Sequence, residues 1–91
     1  MKRNTVINAI NKVGAACLMQ GKLPEAEVLF LRALRLSEKM YENDDPKLSL
    51  PLLGLYQIAY ERGRYTIAAD YAKQRLEVAE AAFGESDQRL V

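Results

Sequence analysis

The hexapeptide Gly21-Lys22-Leu23-Pro24-Glu25-Ala26 returns 42 residues later as Gly63-Arg64-Tyr65-Thr66-Ile67-Ala68, each copy set between two stretches of helical periodicity. A fixed period of this length restricts the chain to an array of stacked hairpins, each burying its apolar face on a neighbour. Aligning residues 13–49 with 55–91 gives six identities in 37 positions: Gly21/Gly63, Ala26/Ala68, Leu34/Leu76, Glu38/Glu80, Asp45/Asp87 and Leu48/Leu90. They mark the turn, the small residue after it and the break between hairpins. At such sites backbone geometry or close helix approach limits the choice of residue.

Within the period, spacing predicts four helices. Val6, Ile10, Val13 and Cys17 recur at steps of four, three and four, an apolar stripe on a first helix from about Thr5 to Gln20 that Gly21 ends. Pro24 suits the first turn of a second helix, about Pro24 to Glu42, with Glu25 and Glu27 beside its positive end. Ala26, Leu29, Phe30, Ala33, Ser37 and Met40 form its stripe. Asn43-Asp44-Asp45-Pro46 is the strongest break. Asp45 could cap a helix starting at Pro46, but Pro51 inside that helix would remove a hydrogen bond and press on the Lys47 carbonyl. Two solutions stay open: a kink near Pro51, or a helix starting at a Ser49 cap with Pro51 in its first turn. The second is preferred. Leu52, Leu55 and Ala59 carry this third stripe to Arg62, before Gly63. Thr66 is expected to cap a fourth helix with an apolar face of Ala68, Tyr71, Ala72, Leu76, Ala79 and Phe83, ended by Gly84.

The chain is 91 residues long, which suits one small domain or a piece of a longer protein. A chain this short buries only roughly 60% of its unfolded surface. Thirteen basic and twelve acidic residues leave a net charge of +1, with no general pull on nucleic acid or anionic membrane. Arg32, Arg35 and Lys39 lie along one helix, but Glu38, Glu42 and Glu61 are interspersed and blunt their field. There is one cysteine, Cys17, and no histidine. That excludes an intrachain disulfide and removes both the usual general base near neutral pH and the commonest zinc ligand. No catalytic constellation, metal site or cofactor is implied, and the expectation is a chain that is not an enzyme. Asparagines interrupt the stretch after Met1-Lys2-Arg3, so no signal-peptide core forms, and no run reaches the length of a membrane span. A soluble cytoplasmic chain with a reduced thiol is expected.

These features resemble the tetratricopeptide repeat, in the longer 42-residue form found in kinesin light chains and many bacterial proteins. The turn Gly21 to Glu27 followed by Arg32-Ala33-Leu34 is similar to the family's hairpin turn and second helix. Ala26 and Ala68 match its small residue at the tightest helix crossing, and Gly14, Phe30 and Ala33 match three further positions. Tyr41-Glu42-Asn43-Asp44-Asp45-Pro46 and Phe83-Gly84-Glu85-Ser86-Asp87 are similar to the long form's inter-repeat segment. The second repeat departs from the pattern: Tyr56 stands at the small position of Gly14, Ala59 at a usually aromatic one, Ala72 at that of Phe30 and Arg75 at that of Ala33. Large and small are expected to be exchanged along one stripe, Tyr56 for Ala59. The resemblance implies an all-α, right-handed array in one domain, residues 1–91. Repeat one covers about 7–44 and repeat two about 49–86, with 87–91 starting a further repeat.

The resemblance also implies a function. In the family the first helix of each repeat lines a concave groove for peptides or protein segments. By position, that groove consists of Asn8, Asn11, Ala15, Leu18 and Met19 from repeat one, with Leu50, Leu53, Gln57, Tyr60 and Glu61 from repeat two. Asparagine and glutamine amides suit a peptide backbone, and Leu18, Met19, Leu53 and Tyr60 suit its apolar side chains. Glu61 is the one formal charge in the set, with Lys12 at its edge. Members that hold acidic chaperone C-termini use a lysine–arginine–asparagine clamp, which is absent here because Asn11 and Ala15 occupy its positions. The expected ligand is therefore an extended, largely uncharged peptide or partner segment. The alternative is self-association through the apolar end of helix four, with Leu76 and Phe83 at the interface. Neither nucleic acid nor membrane is an expected partner.

Overall fold

The computed structural model describes residues 2–40 and 46–83. Four helices follow in order: α1 (Lys2–Met19), α2 (Leu23–Met40), α3 (Ser49–Glu61) and α4 (Tyr65–Phe83), with a 3-10 turn at Pro46–Leu48 leading into α3. α1 packs on α2 and α3 on α4 as two hairpins, and α3 joins them by lying against α2 and touching α1. The break at residues 41–45, the stop at Gly84 and the start of a further repeat at 87–91 lie outside the described residues.

The two hairpin turns are the same structure repeated. The Gly21 N–H donates to the Leu18 carbonyl at 3.0 Å and the Lys22 N–H to that of Cys17 at 2.9 Å. The corresponding bonds 42 residues on run from Gly63 to Tyr60 at 3.0 Å and from Arg64 to Ala59 at 2.9 Å. Both glycines are left-handed, with φ of 78° and 76°, as a helix end closed by a six-to-one bond requires. The next helix then starts at once: Ala26 donates to the Lys22 carbonyl and Ala68 to that of Arg64. Arg64, not Thr66, therefore holds the cap position, and Thr66 lies inside α4.

Pro51 stands in the first turn of α3, where its missing N–H removes no helical bond. Ser49 is not the cap of that helix. Leu48 precedes it in helical conformation without a capping side chain, because the 3-10 turn feeds directly into the first α turn. The Ser49 hydroxyl instead accepts a hydrogen bond from Arg75 Nε at 3.0 Å, tying α3 to α4.

Ala26, Phe30, Leu55 and Ile58 form the main core, with Leu18, Leu23 and Tyr71 packed around it. Leu48, Leu52 and Val78 form a second. α2 buries Ala26, Phe30, Ala33 and Ser37, four positions of its expected stripe. α1 behaves differently: Val6 and Val13 are half exposed, and Ile7, Asn11 and Gly14 are the buried positions. Apolar residues occur on several faces of this helix, so periodicity could not set its phase. Gly14 sets it, because a Cβ there would stand 3.2 Å from the Phe30 ring. The stripe Val6, Ile10, Val13 and Cys17 corresponds, 42 residues on, to Leu48, Leu52, Leu55 and Ala59, all buried. It has the pattern of a stacking face, and among the described residues Val6 and Val13 on it are exposed while Cys17 packs on the main core.

Between the helices of repeat two, large and small are exchanged relative to repeat one. Gly14 on α1 faces Phe30 on α2. The equivalent positions are Tyr56 on α3 and Ala72 on α4, which line one cleft. The bulk has moved from the second helix of the hairpin to the first, conserving volume across the pair.

Candidate functional site

A groove of about 290 Å³ runs between α1 and α3. Its base is Phe30, whose ring lies against Gly14 on one side and Gly54 on the other; a Cβ on Gly54 would approach the ring to 2.5 Å. Two residues without side chains thus let the first helices of both repeats close over one aromatic ring. This crossing sets the groove's depth.

Seven of the ten residues expected there line it: Asn8, Asn11, Ala15 and Leu18 from α1, and Leu50, Leu53 and Gln57 from α3. Met19, 88% exposed, is not among the lining residues, and neither are Tyr60 and Glu61. Tyr60 instead stands between two other tyrosines, 5.9 Å from Tyr56 and 5.2 Å edge-on from Tyr65, ring centre to ring centre. Lys12 lines the groove in place of the expected Glu61, so its one formal charge is positive.

The walls differ. Residues 8 and 11 are asparagines, whereas the equivalent positions 50 and 53 are leucines. At these two positions α1 offers amides and α3 aliphatic surface. Asn8 is exposed, but Asn11 is only 4% exposed, and its Oδ1 has no hydrogen-bond partner among the described residues. A buried amide oxygen without a donor costs about 1–3 kcal/mol relative to one that is paired. A ligand N–H would remove that cost once the amide turns toward the groove, since the oxygen itself is buried. Register alone places Asn11 in the groove, but a solvated amide and a buried one have the same register.

A separate site lies on the turn side of the molecule. Arg62 donates to Glu27 Oε1 at 2.7 Å, joining the end of repeat two's first helix to α2. Both groups are partly exposed, so solvent screens the pair and its contribution is small. Tyr71 lines the same pocket. Its hydroxyl is held above the ordinary value of 10.0, first by burial and then by the Glu27 carboxylate. Neither the pair nor the phenol was anticipated from the sequence, since Glu27 and Arg62 lie 35 positions apart.

Among the described residues no helix is long and apolar enough to cross a membrane, and no group of three or more His, Cys, Asp or Glu could hold a metal ion. The family model described as Tetratricopeptide repeat matches residues 5–81. No curated protein and no solved structure matches the chain.

Proposed function

We propose, from the premise that the chain belongs to the tetratricopeptide repeat family, that its α1–α3 groove binds an extended, largely uncharged protein segment. The family is in general a protein–protein interaction module. The reading takes the chain as the long, 42-residue form of the repeat, a two-repeat unit in which Asn8 and Asn11 meet the ligand backbone and Leu50 and Leu53 its apolar side chains. One observation carries it: the buried, unpartnered Oδ1 of Asn11 on the wall of a concave surface.

Asn11→Leu tests the reading, because leucine is what repeat two has at the equivalent position. Removing a buried acceptor without a partner should raise stability by about 1 kcal/mol. Binding of peptides selected from an unbiased display library should fall at least tenfold. Stability up and binding down is the signature of a residue kept for its ligand. Unchanged binding would exclude the groove as the site.

A second reading is self-association through α4, favoured by Leu76, which is 57% exposed beside a cleft of about 430 Å³. Phe83 ends α4, and its side chain lies outside the described residues.

A further inference from the structure

We infer that α4 pairs with α4 of a second copy in antiparallel orientation, each Lys73 meeting the partner's Glu80. The inference rests on the self-association reading and gives it a geometry. Tyr65, Ala69, Ala72, Leu76 and Ala79 recur at steps of four, three, four and three along the helix, and Phe83 follows at the next step of four. That is the 3.5-residue period of a two-helix seam. In an ordinary surface helix such a row would face the core. Here Ala68 and Val78 are the buried residues of α4, and Tyr65, Ala69, Ala72 and Leu76 are exposed. The helix has a second apolar row that its own hairpin covers only in part: Tyr65 meets Tyr60 and Ala79 is half-buried, while Ala69, Ala72 and Leu76 stay exposed.

The charges beside the row select the occupant. On the α3 side stands Arg75, engaged by Ser49. On the other side stand Lys73 and Glu80, one heptad apart, both exposed and neither in an ion pair among the described residues. In an antiparallel pair, residues flanking the seam on one side meet their own kind from the other helix. A two-fold axis between positions 73 and 80 therefore sets lysine against glutamate twice. The contact is self-complementary, as an isologous interface must be.

The open stripe of α1 fits the same row poorly. Its stacking geometry can be read from α3, where Gly54 lies over Phe30. The equivalent residues are Lys12 on α1 and Ala72 on α4. An α1 docked that way would bring Lys12 within a turn of Arg75, and the 18 residues of α1 contain no carboxylate to offset them. A second α4 instead brings Glu80 to Lys73 on the far side of the seam and adds no lysine beside Arg75.

Absolute mass by light scattering across a hundredfold concentration range, on the full chain, tests the proposal with three variants. The expected result is a concentration-dependent dimer, which Leu76→Glu reduces to monomer with helical circular dichroism unchanged. Lys73→Glu and Glu80→Lys each weaken dimerisation roughly tenfold, since two pairs become like-charge contacts. The double variant Lys73→Glu/Glu80→Lys restores it. A dimer that Leu76→Glu breaks but the double variant does not restore overturns the antiparallel pairing while leaving self-association through α4 in place. A monomer at every concentration overturns both, and so does a dimer indifferent to Leu76→Glu.

Discussion

Phe30 touches both repeats through places where no side chain stands. Its ring fills the space left by Gly14 and Gly54, and the added Cβ atoms would lie 3.2 Å and 2.5 Å away. The second distance is closer than a buried ring can tolerate without moving, and Phe30 is 2% exposed, so any shift of the ring must be toward the groove it floors. Gly54→Ala should therefore destabilise the protein by about 1–3 kcal/mol, as overpacking of a close-packed core does. Gly14→Ala should cost less, and urea unfolding of both variants checks the order. Tyr71 gives a second residue-scale test. The folded state holds the phenolic proton more tightly than the unfolded chain, whose pKa is near 10.0. Its contribution to stability is thus fully present below 10.0 and is lost as the pH rises through the higher folded value. Relative to Tyr71→Phe, the unsubstituted protein should lose stability above pH 10.0, and denaturation at a series of alkaline pH values measures the difference.

The hairpin turn is the element that carries the repeat. The same pair of helix-closing bonds recurs around Gly21 and Gly63 at distances equal within 0.1 Å, and both turns need a residue with positive φ. Replacing either glycine by alanine places a Cβ in the left-handed region, at a cost of about 1–2 kcal/mol. Neither position has a neighbour within 4 Å, so the cost is conformational and should be the same in both repeats. Unequal losses in thermal unfolding would mean the turns are not equivalent. This turn was legible in the sequence because glycine, the basic residue after it and the alanine four residues further leave little freedom. Helix phase was less so. α2 displays one apolar face and was read correctly, whereas α1 displays several, and its buried line at Ile7, Asn11 and Gly14 became fixed only by contact with Phe30. The expected caps at Ser49 and Thr66 differ from the structure for separate reasons: the 3-10 turn delivers Leu48 to α3 already helical, whereas α4 starts directly after the Gly63 turn, at Tyr65, which puts Thr66 one residue inside the helix.

At the scale of the whole molecule, two helical hairpins stack so that the first helices of each repeat share one concave face. Seven of the ten residues assigned to that face line a single groove, since a periodic scaffold converts sequence register into position. What register could not give is the state of each side chain. Asn8 and Asn11 are three residues apart on one helix, yet one is solvated and the other buried with an unpaired oxygen. Glu61 and Lys12 also trade places as the charge nearest the groove. The apolar row of α4 lines a different cleft, with no residue in common with the groove. The proposed function places the ligand in the groove. Its most direct test is backbone chemical-shift mapping of the labelled protein with a peptide selected from a display library. The largest shifts are expected at Asn8, Asn11, Ala15, Leu50, Leu53 and Gln57, with Ala69, Leu76 and Ala79 unmoved. Shifts centred on α4, with the groove residues silent, would contradict it.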